Sequence, residues 1–174
     1  AVLPAALDTL RMHLVVLGAG EGDDENFFRW LAGAYPGRVA TTIGYADELA
    51  HRIQAGADFF LMPSLFEPCG LSQMYALRYG TLPVVHATGG LEDTVEQYNE
   101  GEGTGTGFKF YEAAAPAFHD TLSWAVETWQ ERPSHITRMR EQAMRVRFDW
   151  EMSAQRYLEI YRRVAAKHAS GAEA

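Results

Sequence analysis

Residues 59–74 read FFLMPSLFEPCGLSQM, and this stretch decides the fold class. Its first four residues form a short apolar run that Pro63 closes, which predicts a buried strand of a parallel sheet. In the following loop, Pro68 biases Glu67 toward an extended backbone, and Gly70 permits a close backbone approach. A helical pattern begins at about Gly70. The stretch therefore predicts a strand, a loop and a helix in that order.

The same order recurs on both sides of this stretch. Further apolar strands are predicted at residues 12–18, 39–44, 82–86 and 108–110. Helical spacing separates these strands, and the chain after residue 114 is helical in pattern. Repeated units of this size predict an α/β fold, with a Rossmann-like parallel sheet, helices on both faces and helices at the end. We expect one domain over residues 1–168 and a disordered tail at residues 169–174.

The composition of the 174-residue chain is that of an acidic globular protein. Hydrophobic residues make up 47% of it, and 15 Lys plus Arg oppose 23 Asp plus Glu, for a formal net charge of −8. Because nucleic-acid affinity depends on phosphate neutralisation by Lys and Arg, no nucleic-acid partner is expected. A small anionic ligand is compatible with this charge, since backbone N–H groups can bind one phosphate.

The single cysteine, Cys69, excludes an intramolecular disulfide and favours a reducing compartment, so we expect a cytoplasmic protein. As a nucleophile it would need a basic partner such as His86, and a packed single cysteine is the commoner case. No apolar run approaches the about 20 residues that a bilayer span needs, so no membrane partner is expected. The histidines lack metal-ligand spacing, and neither a metal nor another cofactor is predicted.

The loops after the strands are the candidate ligand sites, because open parallel sheets bind ligands outside the carboxyl ends of their strands. In the quoted stretch, the helix that Leu71 and Ser72 open offers unpaired N–H groups and about half a positive charge, enough to hold a phosphate. Glu67 lies just before those donors, which fits a sugar hydroxyl better than an anion. The sequence leaves open the alternative that Glu67 or Ser72 only caps the helix.

Three other loops offer further groups. Gly89 and Gly90, before a helix start, allow a second backbone cradle or only a two-glycine turn. Tyr45, after the second strand, presents a ring that fits either a stacking platform for a base or a plug over the sheet edge. The loop at residues 18–23 approaches a dinucleotide fingerprint, but an aspartate stands at the last glycine position, which favours a tight turn.

Motifs along most of the chain resemble those of a known family. The matching stretches are residues 35–38, 43–45, 50–53, 56–58, 63–64, 66–71, 78–83, 88–91, 93–95 and 106–108. With these stretches the sequence is similar to bacterial glycogen synthases and plant starch synthases, which are retaining glycosyltransferases of the two-domain GT-B architecture that use ADP-glucose. The combination of these stretches is highly specific, whereas any single piece is weak.

The resemblance implies transfer of glucose from ADP-glucose to the non-reducing end of an α-1,4-glucan, with retention of configuration and release of ADP. It implies that Glu67 is the catalytic residue that holds hydroxyls of the donor glucose, and that Tyr45 stacks on the adenine. The other donor-binding residues that it implies are Cys69, Gly70, Leu71 and Ser72 around the phosphates and sugar, and Thr88, Gly89, Gly90 and Leu91 on the sugar side.

By the same resemblance, the chain is the larger part of the C-terminal, donor-binding half of such an enzyme. The family's Arg and Lys that grip the diphosphate lie upstream of the strand at residues 12–18, and its acceptor-side loop lies in an N-terminal domain. We therefore expect the first strand and the whole N-terminal acceptor domain to be missing. The glucan would bind mainly through that domain, and the chain alone would be inactive. A plant source would imply a plastid location.

Several residues depart from the family pattern. Leu65 stands where the family usually has arginine, and His86 and Ala87 stand where basic residues are common. These departures remove positive charge near an anionic donor, so we expect reduced affinity. Tyr75 replaces a glutamate that is common in this architecture, a departure that glycogen synthases share.

Three alternative functions stay open at this point. The chain could belong to a GT-B glycosyltransferase that uses a UDP- or GDP-sugar, or it could be a non-catalytic module that binds a nucleotide sugar or a glucan. A dinucleotide domain is the third alternative, and the failed fingerprint at residues 18–23 weighs against it.

Overall fold

The computed structural model describes the backbone of residues 2–171 and the side chains of residues 2–168. Over this part of the chain, strands and helices alternate as far as the fifth strand, and three helices follow. The strands are β1 (Leu14–Gly18), β2 (Val39–Ile43), β3 (Phe59–Met62), β4 (Leu82–His86) and β5 (Phe108–Phe110). The helices are α1 (Val2–Thr9), α2 (Gly22–Ala34), α3 (Asp47–Gly56), α4 (Ser72–Tyr79), α5 (Gly89–Thr94), α6 (Ala115–Glu131), α7 (Pro133–Arg145) and α8 (Trp150–Gly171).

The strands form two parallel ladders. β1 pairs with β2, from Leu14 opposite Val39 to Gly18 opposite Ile43, and we call this pair the two-stranded ladder. β3, β4 and β5 pair in that order as the three-stranded ladder. The predicted α/β class with parallel strands is confirmed. Within the described residues, however, β1 and β3 do not pair, so the predicted sheet is interrupted at that point.

The three-stranded ladder carries helices on both faces. All five residues of β4 are buried, and successive side chains of a strand point to opposite faces. Leu82 and Val84 pack into the main core with side chains of α6 and α7. Val85 packs on the other face with Leu91 and Val95, at α5 and its C-terminal end. The predicted covering of both faces is therefore confirmed for this ladder.

The two-stranded ladder is covered less completely. A small core cluster forms where Leu7 of α1 and Leu31 of α2 meet Val39 of β2. On β1, the side chain of Val15 is 51% exposed. Helix α1 contributes to both cores, because Ala6 belongs to the main cluster and Leu7 to the small one.

The chain divides into two compact units, Ala1–Met144 and Arg145–Ala174, so the single domain expected over residues 1–168 spans both. In the second unit, the Met152 N–H and the Arg147 guanidinium donate hydrogen bonds to Asp149, which lowers the pKa of that carboxyl. Of the tail expected at residues 169–174, residues 169–171 continue α8, and residues 172–174 lie outside the described residues. None of the described helices is both long and apolar enough to cross a bilayer.

Candidate functional site

The loop after β3 and the turn after β4 meet at the carboxyl end of the three-stranded ladder. β3 and β4 are adjacent parallel strands, so the segments that leave them start side by side. The Gly90 N–H donates a hydrogen bond to the Glu67 carbonyl oxygen at 2.9 Å. The structure thus joins the two loops that carry most of the candidate site residues.

The close contact between the two loops requires glycine at residues 89 and 90, which we call the glycine pair. Gly89 has a φ of +46°, and a Cβ atom there would overlap with the Glu67 carbonyl oxygen. A Cβ atom at Gly90 would overlap with the Cys69 carbonyl oxygen. Each overlap would be with a backbone atom, so no flexible side chain could move to relieve it. The glycine pair therefore allows two loops to come into close contact, which a simple two-glycine turn would not require.

Helix α4 begins without a side-chain cap. Its N-cap residue is Leu71, and no side chain caps the helix with a hydrogen bond. The alternative in which Glu67 or Ser72 caps the helix is therefore wrong. Within the described part of the chain, no acceptor bonds the N–H groups of residues 69–74, which we call the amide cradle. Such a run of free donors at a helix N-terminus carries a positive potential that attracts anions.

Glu67 stands two positions before the amide cradle in the same loop. The residue is half-buried, and none of the described residues donates a hydrogen bond to its carboxylate. A carboxylate accepts hydrogen bonds only, so its natural partners are hydroxyl or N–H donors of a ligand. The arrangement thus combines an acceptor for a polyol with donors for an anion.

The other candidate residues of the two loops contribute in different ways. Cys69 is exposed, and its thiol lies 3.7 Å from the Gly70 carbonyl oxygen. The imidazole of His86 is engaged elsewhere, since Nδ1 lies 2.8 Å from the Ser64 carbonyl oxygen and the ring stacks on a phenylalanine. Leu91 is fully buried, so only its backbone can face a ligand. Its N–H donates to the Thr88 carbonyl oxygen at 3.1 Å, and thus Leu91 holds the turn together.

Tyr45 follows β2 and belongs to the two-stranded ladder. Its side chain is 89% exposed, and its hydroxyl lies 3.5 Å from a carboxylate oxygen of Asp47. A plug over the sheet edge would be buried, so the exposure disfavours that alternative. Among the contacts of the described residues, none joins Tyr45 to the loop of Glu67. The structure therefore brings the two loops of the three-stranded ladder together, without a contact to Tyr45 among the described residues.

Positive side chains are scarce at this edge. Residues 63–72 and 86–91 contain no Lys or Arg. Lys109 of β5 is nearly buried and pairs with Glu92, with 3.1 Å between its Nζ and a carboxylate oxygen. Backbone amides are therefore the positive groups that these two loops themselves supply. The described residues contain no group of His, Cys, Asp or Glu that could hold a metal ion.

Sequence reasoning missed Gln73, which is fully buried beneath the amide cradle. Its Nε2 lies 2.9 Å from the Cys69 carbonyl oxygen and 3.0 Å from the Gly70 carbonyl oxygen. A polar residue on the apolar face of the predicted helix was the available signal, because buried amides require hydrogen-bond partners.

Comparison with known proteins gives close relatives. The chain is 51% identical over 158 residues to glycogen synthase 1 of Geobacter metallireducens, an alignment that covers 91% of this chain and 32% of the relative. It is 47% identical over 161 residues to glycogen synthase of Treponema denticola, covering 92% of this chain and 33% of that protein. The chain thus spans about a third of the length of these curated relatives.

Solved structures share the fold. The catalytic domain of starch synthase IV from Arabidopsis thaliana, bound to ADP and acarbose, matches with a TM-score of 0.75 at 27% identity, covering 88% of this chain and 38% of that one. Sucrose-phosphate synthase from Thermosynechococcus elongatus matches with a TM-score of 0.66 at 21% identity, covering 95% and 42%. Residues 3–145 also match the family described as glycosyl transferases group 1. The chain belongs to the group 1 glycosyl transferases.

Proposed function

We propose that this chain is the donor-binding part of a glycogen or starch synthase. The reaction is transfer of glucose from ADP-glucose to the non-reducing end of an α-1,4-glucan, with retention of configuration and release of ADP. The observation that carries the proposal is the hydrogen bond from Gly90 N–H to the Glu67 carbonyl oxygen, which holds the glycine pair against the loop that contains Glu67 and the free amides. The relatives named glycogen synthase and the starch synthase structure with ADP support the choice of nucleotide sugar.

In this proposal the diphosphate of the donor rests on the amide cradle, with contacts from Cys69, Gly70, Leu71 and Ser72. Charge develops on the diphosphate as the bond to the sugar breaks. Donors that are already oriented stabilise that charge without reorganising. The missing cationic side chains at residues 65, 86 and 87 make the backbone donors the more important.

The glucose lies between the two loops. Glu67 accepts hydrogen bonds from the hydroxyls of the glucose. It is the catalytic residue that the proposal requires, because the sugar gains positive character as its bond to the diphosphate breaks. Thr88, the glycine pair and the backbone of Leu91 line the other side of the sugar. No metal or organic cofactor takes part in this scheme.

The adenine stacks on Tyr45, at the end of the other ladder. An exposed tyrosine offers a flat apolar face at a small cost in conformational entropy. Because stacking accepts any base, Tyr45 contributes affinity more than it contributes choice of nucleotide.

We propose further that the chain lacks the first strand of its sheet and the acceptor domain that holds the glucan. The interruption between β1 and β3 supports the first point, because a doubly wound sheet places its first strand next to both halves. With the upstream cations and acceptor site absent, the chain alone would synthesise no measurable glucan, since each 1.4 kcal/mol of lost stabilisation slows the reaction about tenfold. A cytoplasmic location, expected from the single cysteine, belongs to the same proposal.

Calorimetric titration of the chain with ADP, UDP and GDP tests the proposal. We expect binding of ADP in preference to UDP and GDP. A preference for UDP or GDP would favour a glycosyltransferase with another donor. Binding of a maltooligosaccharide without binding of ADP would favour a glucan-binding module. Glucan synthesis by the isolated chain at the rate of its full-length relatives would contradict the proposed missing parts.

A further inference from the structure

Gln73 is a buried amide in contact with both loops of the candidate site. Its side chain is inaccessible to solvent, and besides the two carbonyl oxygens of the loop its Nε2 lies 3.1 Å from the Thr94 hydroxyl. Thr94 in turn donates a hydrogen bond to the Gly90 carbonyl oxygen at 2.5 Å. One carboxamide thus reaches the Glu67 loop directly and the glycine pair through a single hydroxyl.

The surroundings of the carboxamide determine which end is nitrogen. The two carbonyl oxygens accept only, and the Thr94 hydroxyl already donates to Gly90, so all three groups require a donor and share the two N–H groups of Gln73 Nε2. The Oε1 atom is buried and has no hydrogen-bond partner among the described residues. An acceptor without a donor is unfavourable in a core, so the three contacts on the nitrogen side must compensate for it.

The geometry of the peptide unit links these contacts to the amide cradle. In a planar trans peptide, the C=O and the N–H of the same unit point in opposite directions. The carbonyl groups of Cys69 and Gly70 point inward to Gln73, so the N–H groups of Gly70 and Leu71 point outward. Gly70 has a φ of +72°, and a Cβ atom there would overlap with the carboxamide, so the loop lies directly on Gln73.

We propose that Gln73 is a positioning residue for the donor phosphates. It holds the Cys69 and Gly70 carbonyl groups from the buried side and, through Thr94, the Gly90 carbonyl group. The outward direction of the Gly70 and Leu71 N–H groups follows from that hold. Gln73 does not touch the donor. The inference rests on the proposed function, because it names the residue that orients the same phosphate site.

The test replaces Gln73 with methionine, which has a similar volume and no donor. We expect Gln73→Met to bind ADP about tenfold more weakly than the unaltered chain, whereas its affinity for adenosine, which lacks phosphates, stays within about twofold. NMR titration measures both affinities. Gln97→Met is the matched control, because Gln97 also bonds the backbone, through the Lys109 N–H, but lies outside the two loops. The control should bind both ligands as the unaltered chain does.

A second measurement works without a ligand. The Gly90 N–H bridges the two loops, so its hydrogen exchange should accelerate at least about tenfold in Gln73→Met and stay unchanged in Gln97→Met. If Gln73→Met does not fold, Thr94→Val replaces it, because this change removes only the hydroxyl that links Gln73 to Gly90. We expect Thr94→Val to accelerate exchange at Gly90 and to weaken ADP binding.

The outcomes separate the two proposals. Loss of ADP affinity together with fast exchange at Gly90 supports the role of Gln73. Unchanged ADP affinity and unchanged exchange in a folded Gln73→Met overturn it, and an equal loss of ADP and adenosine affinity also overturns it, since that would indicate general disorder of the site. If the unaltered chain binds no ADP, the proposed function fails, and the exchange at Gly90 still decides whether Gln73 orients the loops.

Discussion

The two ladders of this chain differ in how many of their strand residues are buried. Every residue of β4 in the three-stranded ladder is buried, while no residue of β1 is. The glycine pair and Glu67 lie at the end of the buried ladder, and Tyr45 lies at the end of the more exposed one. The two loops whose spacing is fixed by backbone contact thus follow the more buried ladder, and the ring proposed to stack on the base follows the more exposed one.

The largest effect is expected at the glycine pair. Gly90→Ala should destabilise the chain by about 3 kcal/mol, because the new methyl group overlaps with backbone on the facing loop. Gly33→Ala is the control in the helix beside the two-stranded ladder. Nothing lies within 4 Å of its added methyl group, so we expect a gain of about 0.5 kcal/mol. Urea unfolding measures both, and equal effects would abolish the contrast between the ladders.

Glu67→Gln should lower the affinity for ADP-glucose about tenfold, since hydrogen bonds to a charged group are each worth about 1.5–3 kcal/mol. The affinity for ADP should not fall, because ADP lacks the glucose that Glu67 is proposed to hold. Glu48→Gln is the matched control on the two-stranded side, where the carboxylate is 90% exposed. Calorimetry with both nucleotides measures the difference. An equal loss for ADP and ADP-glucose would contradict the sugar-binding role.

Tyr45→Ala should weaken ADP and ADP-glucose binding equally, by about 1 kcal/mol, because the proposed role of the ring is to stack on the base alone. The free energy of unfolding should not change, since the side chain is 89% exposed. Tyr111→Ala, at another exposed tyrosine just after β5, serves as the control. Loss of ADP affinity in the control but not in Tyr45→Ala would place the base next to β5 instead of β2.

The smallest effect concerns Tyr35, next to the two-stranded ladder. Its hydroxyl donates a hydrogen bond to Asp8 at 2.8 Å, and this bond raises the pKa of Tyr35 above its ordinary value of 10.0. A raised pKa favours the protonated phenol in the folded state, so the contribution is present below pH 10 and is lost as the pH rises through the raised value. Tyr35→Phe should therefore lose less stability than the unaltered chain between pH 9 and about pH 11. Urea midpoints at both pH values measure this, and parallel losses would contradict it.

Local patterns predicted the parts of the site that lie within one strand-loop-helix unit. Pro63, Gly70 and the apolar run before them located the loop and the start of α4 within two residues. The helical pattern predicted after residue 114 agrees with the start of α6 at Ala115, where Pro116 lies in the first turn.

Contacts between distant segments were beyond the reach of these patterns. The bond between Gln73 and Thr94 joins residues 21 positions apart. The spacing of apolar residues does not show which buried carbonyl groups need a hydrogen-bond donor. The interruption between β1 and β3 is a property of strand pairing, which the residue pattern of a single strand does not specify. Adjacency of Glu67 and Gly90 was predictable because both follow neighbouring strands of one parallel sheet.

The amide cradle has a genetic consequence. Its donors belong to the main chain, so any amino acid except proline at residues 71 and 72 supplies the same donors to a ligand. A saturation mutagenesis scan would therefore record tolerance at residues 71 and 72, which are proposed to contact the phosphates. Intolerance would appear instead at the glycine pair, which touches its own chain, so a map of sensitive codons would outline the walls of the site rather than its contacts.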